Sequence, residues 1–207
     1  MSDLQCACTL LLARHAEADY ETDRWSEAGG SLSNAGRHQA RALGVALASR
    51  RVAHVYTSVM ARAVQTAELA AAGLAGSPVA GAGVPVTTRE GLREFAVGDA
   101  AGSPYSGPDP FAEPFGRWLA GEWDVRMPGG ETGREVVGRV RAELAAIADA
   151  HRGETVLVVS HGGALRLTVP AVCRMEVPAA RIANTAVLEL RVDADDWVCT
   201  AWQPPPE

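Results

Sequence analysis

The chain has 207 residues, 47% apolar and 21% charged, enough to build a sizeable core without cross-links and too apolar for wholesale disorder. Its net charge of −6 argues against a broad basic nucleic-acid surface. All 19 basic residues are arginine, which excludes lysine Schiff-base chemistry and a P-loop lysine. The longest apolar run, at 155–160, is strand-sized, so no membrane association is expected. The opening Met-Ser-Asp-Leu-Gln lacks a basic segment followed by an apolar one. The cysteines at 6, 8, 173 and 199 form neither a disulfide framework nor a CxxC pair. Reduced thiols in or near the core of a cytoplasmic protein are the expectation, rather than a zinc site.

Residues 9–13 are a short apolar run, read as a buried strand. Ser33 is placed to cap a helix running to about residue 49, with Ala40, Leu43, Leu47 and Ala48 on its apolar stripe. Residues 52–56 read as a second strand, and Ser58 as the start of an alanine-rich helix ending near Gly73. A small-residue connection over 73–83 leads to a short strand at 84–88, where Pro85 suits a sheet edge. Five of the twelve prolines (104, 108, 110, 114 and 128) crowd into residues 92–130. That density predicts an irregular insertion with one short helix around 111–121. From 131 to about 151, Val136, Val140, Leu144 and Ile147 recur at spacings of four, four and three, the pattern of an amphipathic helix. A buried strand at 155–159 is followed by a glycine turn and a helix over 164–173. Strands at 186–192 and 197–202, an Asp-rich turn between them, precede a frayed proline tail. The alternation predicts an α/β fold, a three-layer α/β/α sandwich with a mostly parallel central sheet and a small irregular lid insertion at about 95–130. Such sheets bind ligands at the carboxyl ends of their strands.

Two strand ends carry chemistry. The first runs into Arg14-His15 and the later one into Ser160-His161-Gly162-Gly163. Either histidine alone reads as an incidental polar residue, whereas two at neighbouring strand ends make a site. Arg62, in the first turn of the helix after the second strand, can fold back to the same edge, and arginine grips phosphate bidentately. Glu94, at the mouth of the insertion, supplies a carboxylic acid. Together these groups suit phosphoryl transfer through a covalent intermediate. A neutral imidazole nitrogen attacks phosphorus, arginines and the second histidine hold the equatorial oxygens, and the acid protonates the leaving oxygen. No metal-binding motif and no cofactor motif is present.

At this point the sequence resembles the histidine phosphatase superfamily, the phosphoglycerate mutase-like proteins. The resemblance runs from residue 10 to about 190. Arg14-His15-Ala16 resembles the family's Arg-His-Gly motif, implying that His15 is the phosphorylated nucleophile and Arg14 a phosphate ligand. Leu32-Ser33-Asn-Ala-Gly36-Arg-His-Gln39-Ala40 is similar to its Leu-Thr-x-x-Gly-x-x-Gln-Ala helix start. Ser58-Val-Met-Ala-Arg62-Ala63-Val-Gln65-Thr66-Ala67 matches its Ser-x-x-x-Arg-Ala-x-Gln-Thr-Ala segment and makes Arg62 the second phosphate arginine. Leu92-Arg-Glu94 resembles the segment with the acid/base glutamate, Pro128-Gly-Gly-Glu131-Thr132 the start of a long helix, and Asn184-Thr-Ala a later turn. Ser160-His161-Gly162-Gly163 resembles the second histidine motif, implying catalytic His161 with Gly162 at the phosphate. One domain over 1–207 is implied.

The resemblance implies a metal-independent phosphomonoester hydrolase acting on a small phosphorylated substrate, with no cofactor. The five-residue proline tail looks too short to retain a mutase intermediate, so hydrolysis outranks mutase activity. The Glu94 segment with its insertion separates the chain from the shorter phosphohistidine-protein phosphatases, and the full catalytic set argues against a non-catalytic phosphate binder. Oligomeric state stays open, a homodimer included. Two departures bear on the pocket: Ala16 replaces the family glycine, and Glu21 lies where it would repel an anion if turned inward. Trp25, Trp118 and Trp123, and Arg24, Arg93, Arg117 and Arg126, read either as pocket residues or as ordinary packing and solvent-facing residues. His38, His54 and His151 read as surface or packing residues.

Overall fold

The computed structural model describes residues 6–27, 29–74, 83–175, 181–194 and 196–203. Eight strands are β1 (Cys8–Arg14), β2 (Ala18–Asp19), β3 (Ser31–Leu32), β4 (Val52–Ser58), β5 (Val86–Arg89), β6 (Thr155–Ser160), β7 (Val187–Asp193) and β8 (Asp196–Gln203). Five helices are α1 (Asn34–Leu47), α2 (Ala61–Gly73), α3 (Ala112–Leu119), α4 (Gly133–Ala150) and α5 (Gly162–Cys173). Most of the 73–83 connection, Asp195 and the proline tail lie outside the described residues.

Six strands form one sheet in the order β5-β4-β6-β1-β7-β8. The pairings β5·β4, β4·β6 and β6·β1 are parallel, and β1·β7 and β7·β8 antiparallel, so the sheet is mixed. β5 stands at the edge as Pro85 predicts. β2 and β3 pair antiparallel to each other in a separate two-stranded ribbon. Alternation along β1 sorts its side chains between two cores. Leu10 and Leu12 join the cluster built by α4 and α5, while Leu11 and Ala13 join the one built by α1 and α2. The same holds for Val156 and Val158 against Leu157 and Val159 on β6. Helices thus cover both faces, the three-layer arrangement expected of an α/β alternation.

The helix signals act as read, with two exceptions. Ser33 caps α1, its hydroxyl accepting from Gly36 N at 2.9 Å. Thr132 and Glu135 close a capping box at the start of α4, and Val136, Val140, Leu144 and Ile147 are all buried. Ser58, expected to open a helix, instead ends β4. β-Branched Thr57 extends that strand between β5 and β6, and α2 starts only at Ala61, with Met60 in the cap position and no side-chain cap. Gly162 and Gly163, expected as a turn, form the first turn of α5 behind His161.

The segment between β5 and α4 is irregular apart from short 3-10 turns and α3. Its hub is Trp118, fully buried, with Nε1 donating to Val125 O at 2.7 Å. Backbone bonds from Trp25 N to Ser103 O, Gly102 N to Trp25 O and Tyr105 N to Asp23 O tie this segment to the loop after β2. Cys8 is core, but Cys6 is exposed because it precedes the strand. No helix among the described residues is long and apolar enough to cross a membrane.

Candidate active site

The carboxyl ends of β1, β4 and β6 lie on one edge of the sheet, and the register pairs Arg14 directly with Ser160. His15 follows β1, Ser58 ends β4 and His161 follows β6. The two histidine rings meet there with centroids 5.2 Å apart. The site backbone is held from several sides. His15 N donates to Ser160 O at 2.9 Å, Thr185 N to Arg14 O at 3.0 Å, and Asn184 Nδ2 to His15 O at 2.7 Å. Ala16 N donates to Thr66 Oγ1, which itself donates to Arg62 O, so the Gln65-Thr66 motif ties α2 to the histidine loop. Ala16 is fully buried against Leu32 and Ala40, so its methyl group packs away from solvent, and Glu21 is exposed and does not line the cavity.

His15 carries a neutral imidazole by construction. Its Nδ1 lies 2.8 Å from Ala16 O, and a carbonyl can only accept, so the ring proton sits on Nδ1 and Nε2 keeps its lone pair. Arg62 Nε donates to that Nε2 at 3.3 Å. Burial first, and then the Arg62 charge, push the His15 pKa down to about 3. His161 is fully buried and also lowered well below its ordinary value, by burial and then by His15 and Arg62. Its Nε2 pairs with Ser58 Oγ at 2.8 Å, while its Nδ1 is buried without a protein partner. When the Ser58 hydroxyl donates to Nε2, the His161 proton sits on Nδ1, the polarity an anion requires.

Arg62 is buried, its Nη1 donating to Gly29 O at 2.6 Å. Arg14 Nη1 donates to Ile182 O at 2.8 Å, and its Nε is buried without a protein partner. Gly162 packs against that guanidinium, where a Cβ would stand 3.3 Å from Arg14 Nε. Two buried nitrogens lacking partners, beside two guanidiniums, are what a small tetrahedral anion satisfies. Glu94 is half-buried at the start of α5, Oε2 accepting from Gly163 N at 2.9 Å and Oε1 from Ala164 N at 2.7 Å. A Cβ on Gly163 would lie 2.8 Å from Glu94 Oε1 and 2.5 Å from Phe95 Cε1, so only glycine allows this approach.

Arg14, His15, Arg62, Glu94 and Gly162 line one open cavity of about 670 Å³. His161 sits beneath it against His15. Every sequence-predicted site residue is therefore gathered at one place. Among the described residues, no three His, Cys, Asp or Glu side chains group as metal ligands.

The sequence model of the histidine phosphatase superfamily, branch 1, matches residues 10–204. The chain belongs to that superfamily. It is an enzyme of the histidine phosphatase type. Phosphoglycerate mutase-like protein 4 of Arabidopsis thaliana is 30% identical over 199 residues, covering 93% of this chain and 84% of that protein. The structure of YhfR from Bacillus stearothermophilus superposes with a TM-score of 0.73 at 26% identity, covering 94% of this chain and 96% of that one. A mycobacterial protein described as hydrolase 1 superposes with a TM-score of 0.75 at 25% identity, over 96% and 99% of the two chains.

The tryptophans and arginines left open divide cleanly. Trp25 lines the cavity, Trp118 is core, and Trp123 does not line it. Arg24 donates to Gly102 O, and Arg93, Arg117 and Arg126 pair with Glu90, Glu122 and Glu135, so none of the four reaches the cavity. Arg166 and Arg181 do line it. Sequence reading missed both, since neither belongs to a motif. Of the unassigned histidines, His38 is exposed, while His54 stacks on Tyr56 at 4.4 Å and Tyr56 Oη pairs with His151 Nε2 at 3.0 Å.

Proposed function

We propose that this chain is a metal-independent phosphomonoester hydrolase working through a phosphohistidine on His15, with a small phosphorylated metabolite of the cytoplasm as substrate. The observation that carries the reading is the His15 imidazole, its proton committed to Ala16 O and its unprotonated Nε2 accepting from Arg62 Nε.

The phosphate of the ester displaces the Arg62 Nε contact and takes donors from Arg62, Arg14 Nε and His161 Nδ1. The Nε2 lone pair of His15 attacks phosphorus as the P–O bond to the alcohol breaks. Charge spreading onto the equatorial oxygens is met by the two arginines and the His161 proton, which does the work a metal ion does elsewhere. Glu94 delivers its proton to the leaving alkoxide, then takes one from the water that attacks the phosphohistidine. Inorganic phosphate and the starting enzyme result.

The test is phosphate release from a panel of monoesters by wild type and His15→Ala, with and without EDTA, alongside capture of an acid-labile, alkali-stable phosphoenzyme. Release that vanishes in the variant and survives EDTA supports the reading. Release that persists without His15 overturns it, as does a loss with EDTA that added metal restores. Phosphoglycerate mutase activity is the second reading, favoured by the 30% identical mutase-like relative. It requires the phosphoenzyme to pass its phosphoryl group to a second hydroxyl faster than to water.

A further inference from the structure

The phosphate-binding end accounts for only part of the cavity. Among the described residues, its walls include Tyr20, Trp25, Phe95, Tyr105, Phe111 and Phe115. These are six of the chain's eleven aromatic residues and all three of its phenylalanines. They form one connected surface. Trp25 meets Tyr105 and Phe111 edge-on at 4.5 and 4.8 Å, Phe111 meets Phe95 at 5.7 Å, and Phe95 stacks on Phe115 at 5.5 Å. Phe95 directly follows Glu94, so the aromatic surface starts where the leaving oxygen would be protonated.

Packing of the insertion does not by itself explain this cluster. Trp118 serves as the buried hub of that segment, fully enclosed with its Nε1 bonded. Phe95 and Phe115 pack on that hub at 5.6 and 6.0 Å and Phe111 is buried, yet all six residues also border the cavity, and Tyr20 and Tyr105 remain 46% and 37% exposed. Val97, Ala112 and Leu119 add apolar surface to the cavity, whose polar lining beyond the catalytic residues comes from Ser26, Asp109, Arg166, Arg181 and the hydroxyls of Tyr20 and Tyr105. Asp109 Oδ1 is already engaged by Phe111 N at 2.9 Å. Arg181 adjoins Ile182, whose carbonyl takes Arg14, and so belongs to the phosphate end. A hydroxyl pressed onto the faces of Phe95, Phe111 and Phe115 would lose water without regaining a hydrogen bond from them, whereas a flat apolar group would lose little.

Resting on the phosphatase reading above, we infer that the substrate class is a phosphate monoester of an apolar, ring-bearing alcohol whose ring lies on the Trp25–Phe95–Phe111–Phe115 surface. The phosphate end supplies affinity common to all monoesters, and the aromatic wall supplies the choice among them.

The experiment compares kcat/KM for 2-(naphthyl)ethyl phosphate, butyl phosphate and glycerol 3-phosphate. All three are primary alkyl esters, so intrinsic leaving-group reactivity is closely matched. The expected preference is roughly tenfold or more for the naphthyl ester over glycerol 3-phosphate. In Phe115→Ala and in Tyr105→Ser, the second chosen because Tyr105 is more exposed than Phe115, that ratio should narrow several-fold, with folding checked by thermal melting. Equal or better turnover of glycerol 3-phosphate overturns the substrate class and leaves the phosphatase reading standing. A naphthyl preference untouched by both variants overturns the assignment to this wall. Absence of turnover on all three esters, and on the wider panel, overturns the phosphatase reading and this inference with it.

Discussion

Replacing Arg139 by methionine isolates what supports the loop that carries Glu94. The Arg139 guanidinium, projecting from α4, donates to the carbonyls of Gly91, Arg93 and Glu94 at 2.9, 2.7 and 3.0 Å. It also pairs bidentately with Glu131, at 2.6 and 3.0 Å, and Glu131 in turn accepts from Ala96 N. The two side chains are only 18% and 15% exposed. Burial raises the Glu131 carboxyl, but the Arg139 hydrogen bonds and charge outweigh it and hold the group below its ordinary 4.5. Methionine keeps the apolar stem and leaves Glu131 and three carbonyls without their donor. Breaking one side of a buried ion pair costs about 3–5 kcal/mol, a large share of a typical domain's stability. For a chain of this size that is a melting-point drop of about 6–20 °C. Adding Glu131→Gln should restore part of the loss, because the stranded charge is removed. The pair contributes fully above pH 4.5 and fades as pH falls through the depressed Glu131 value, so wild type and variant should converge in acid. A variant melting within about 2 °C of wild type, or a double variant that simply adds a second full loss, refutes the reasoning.

Three further outcomes follow from the same geometry. Gly163→Ala must displace Phe95 or the Glu94 carboxylate, and a misplacement of about 1 Å costs on the order of 100-fold in turnover of alkyl phosphates. Unchanged kinetics there would show that Glu94 has slack. Glu94→Gln should slow alkyl phosphates by about 10²–10⁴ and activated aryl phosphates far less, since only a poor leaving group needs the proton; an equal loss on both classes gives Glu94 another role. His15 and His161 are held neutral by burial and flanking cations, both below the ordinary 6.5, so the unfolded chain binds more protons than the folded one in acid. Stability is then full above about pH 6.5 and declines below it, by about 1.4 kcal/mol per pH unit for each histidine. Urea melts of wild type and His15→Asn between pH 6 and 4 should differ in slope by about one proton, and identical slopes would mean that His15 titrates normally.

The parts of the site that sequence exposes are those fixed by local pattern. Arg14-His15 and Ser160-His161 stand out because each ends an apolar run short enough to be only a strand. Strand ends in an α/β alternation share an edge, so sequence order alone brings them together. Ser58 stands in sequence both at the end of a strand and before an alanine-rich helix, and local pattern does not decide between the two. Its burial beneath His161 depends on β4 lying beside β6, which no local window contains. Arg139 carries no signal for the same reason, being one arginine on an arginine-rich helix until tertiary packing sets three carbonyls before it. Arg24, Arg93, Arg117 and Arg126 read either way in sequence, and tertiary structure decides between the two by engaging them with Gly102 O, Glu90, Glu122 and Glu135 away from the cavity.

The clamp on His15 shows what the site costs. Thr185 has φ +58°, a left-handed conformation that a β-branched residue adopts at a cost of about 1–3 kcal/mol. In return its amide reaches Arg14 O, while the preceding Asn184 side chain reaches His15 O. Those two carbonyls belong to Arg14 and His15, whose side chains are anchored as well, Arg14 through Nη1 to Ile182 O and His15 through Nδ1 to Ala16 O. Fixing the backbone from behind leaves Arg14 Nε and His15 Nε2 available. The same logic explains the charge state. Two guanidiniums already match a dianionic phosphate, and a third cation at His15 would have no lone pair with which to attack. In the proposed mechanism, burial beside Arg62 therefore does two things at once: it supplies the field that receives the phosphate, and it keeps His15 neutral until the phosphate arrives.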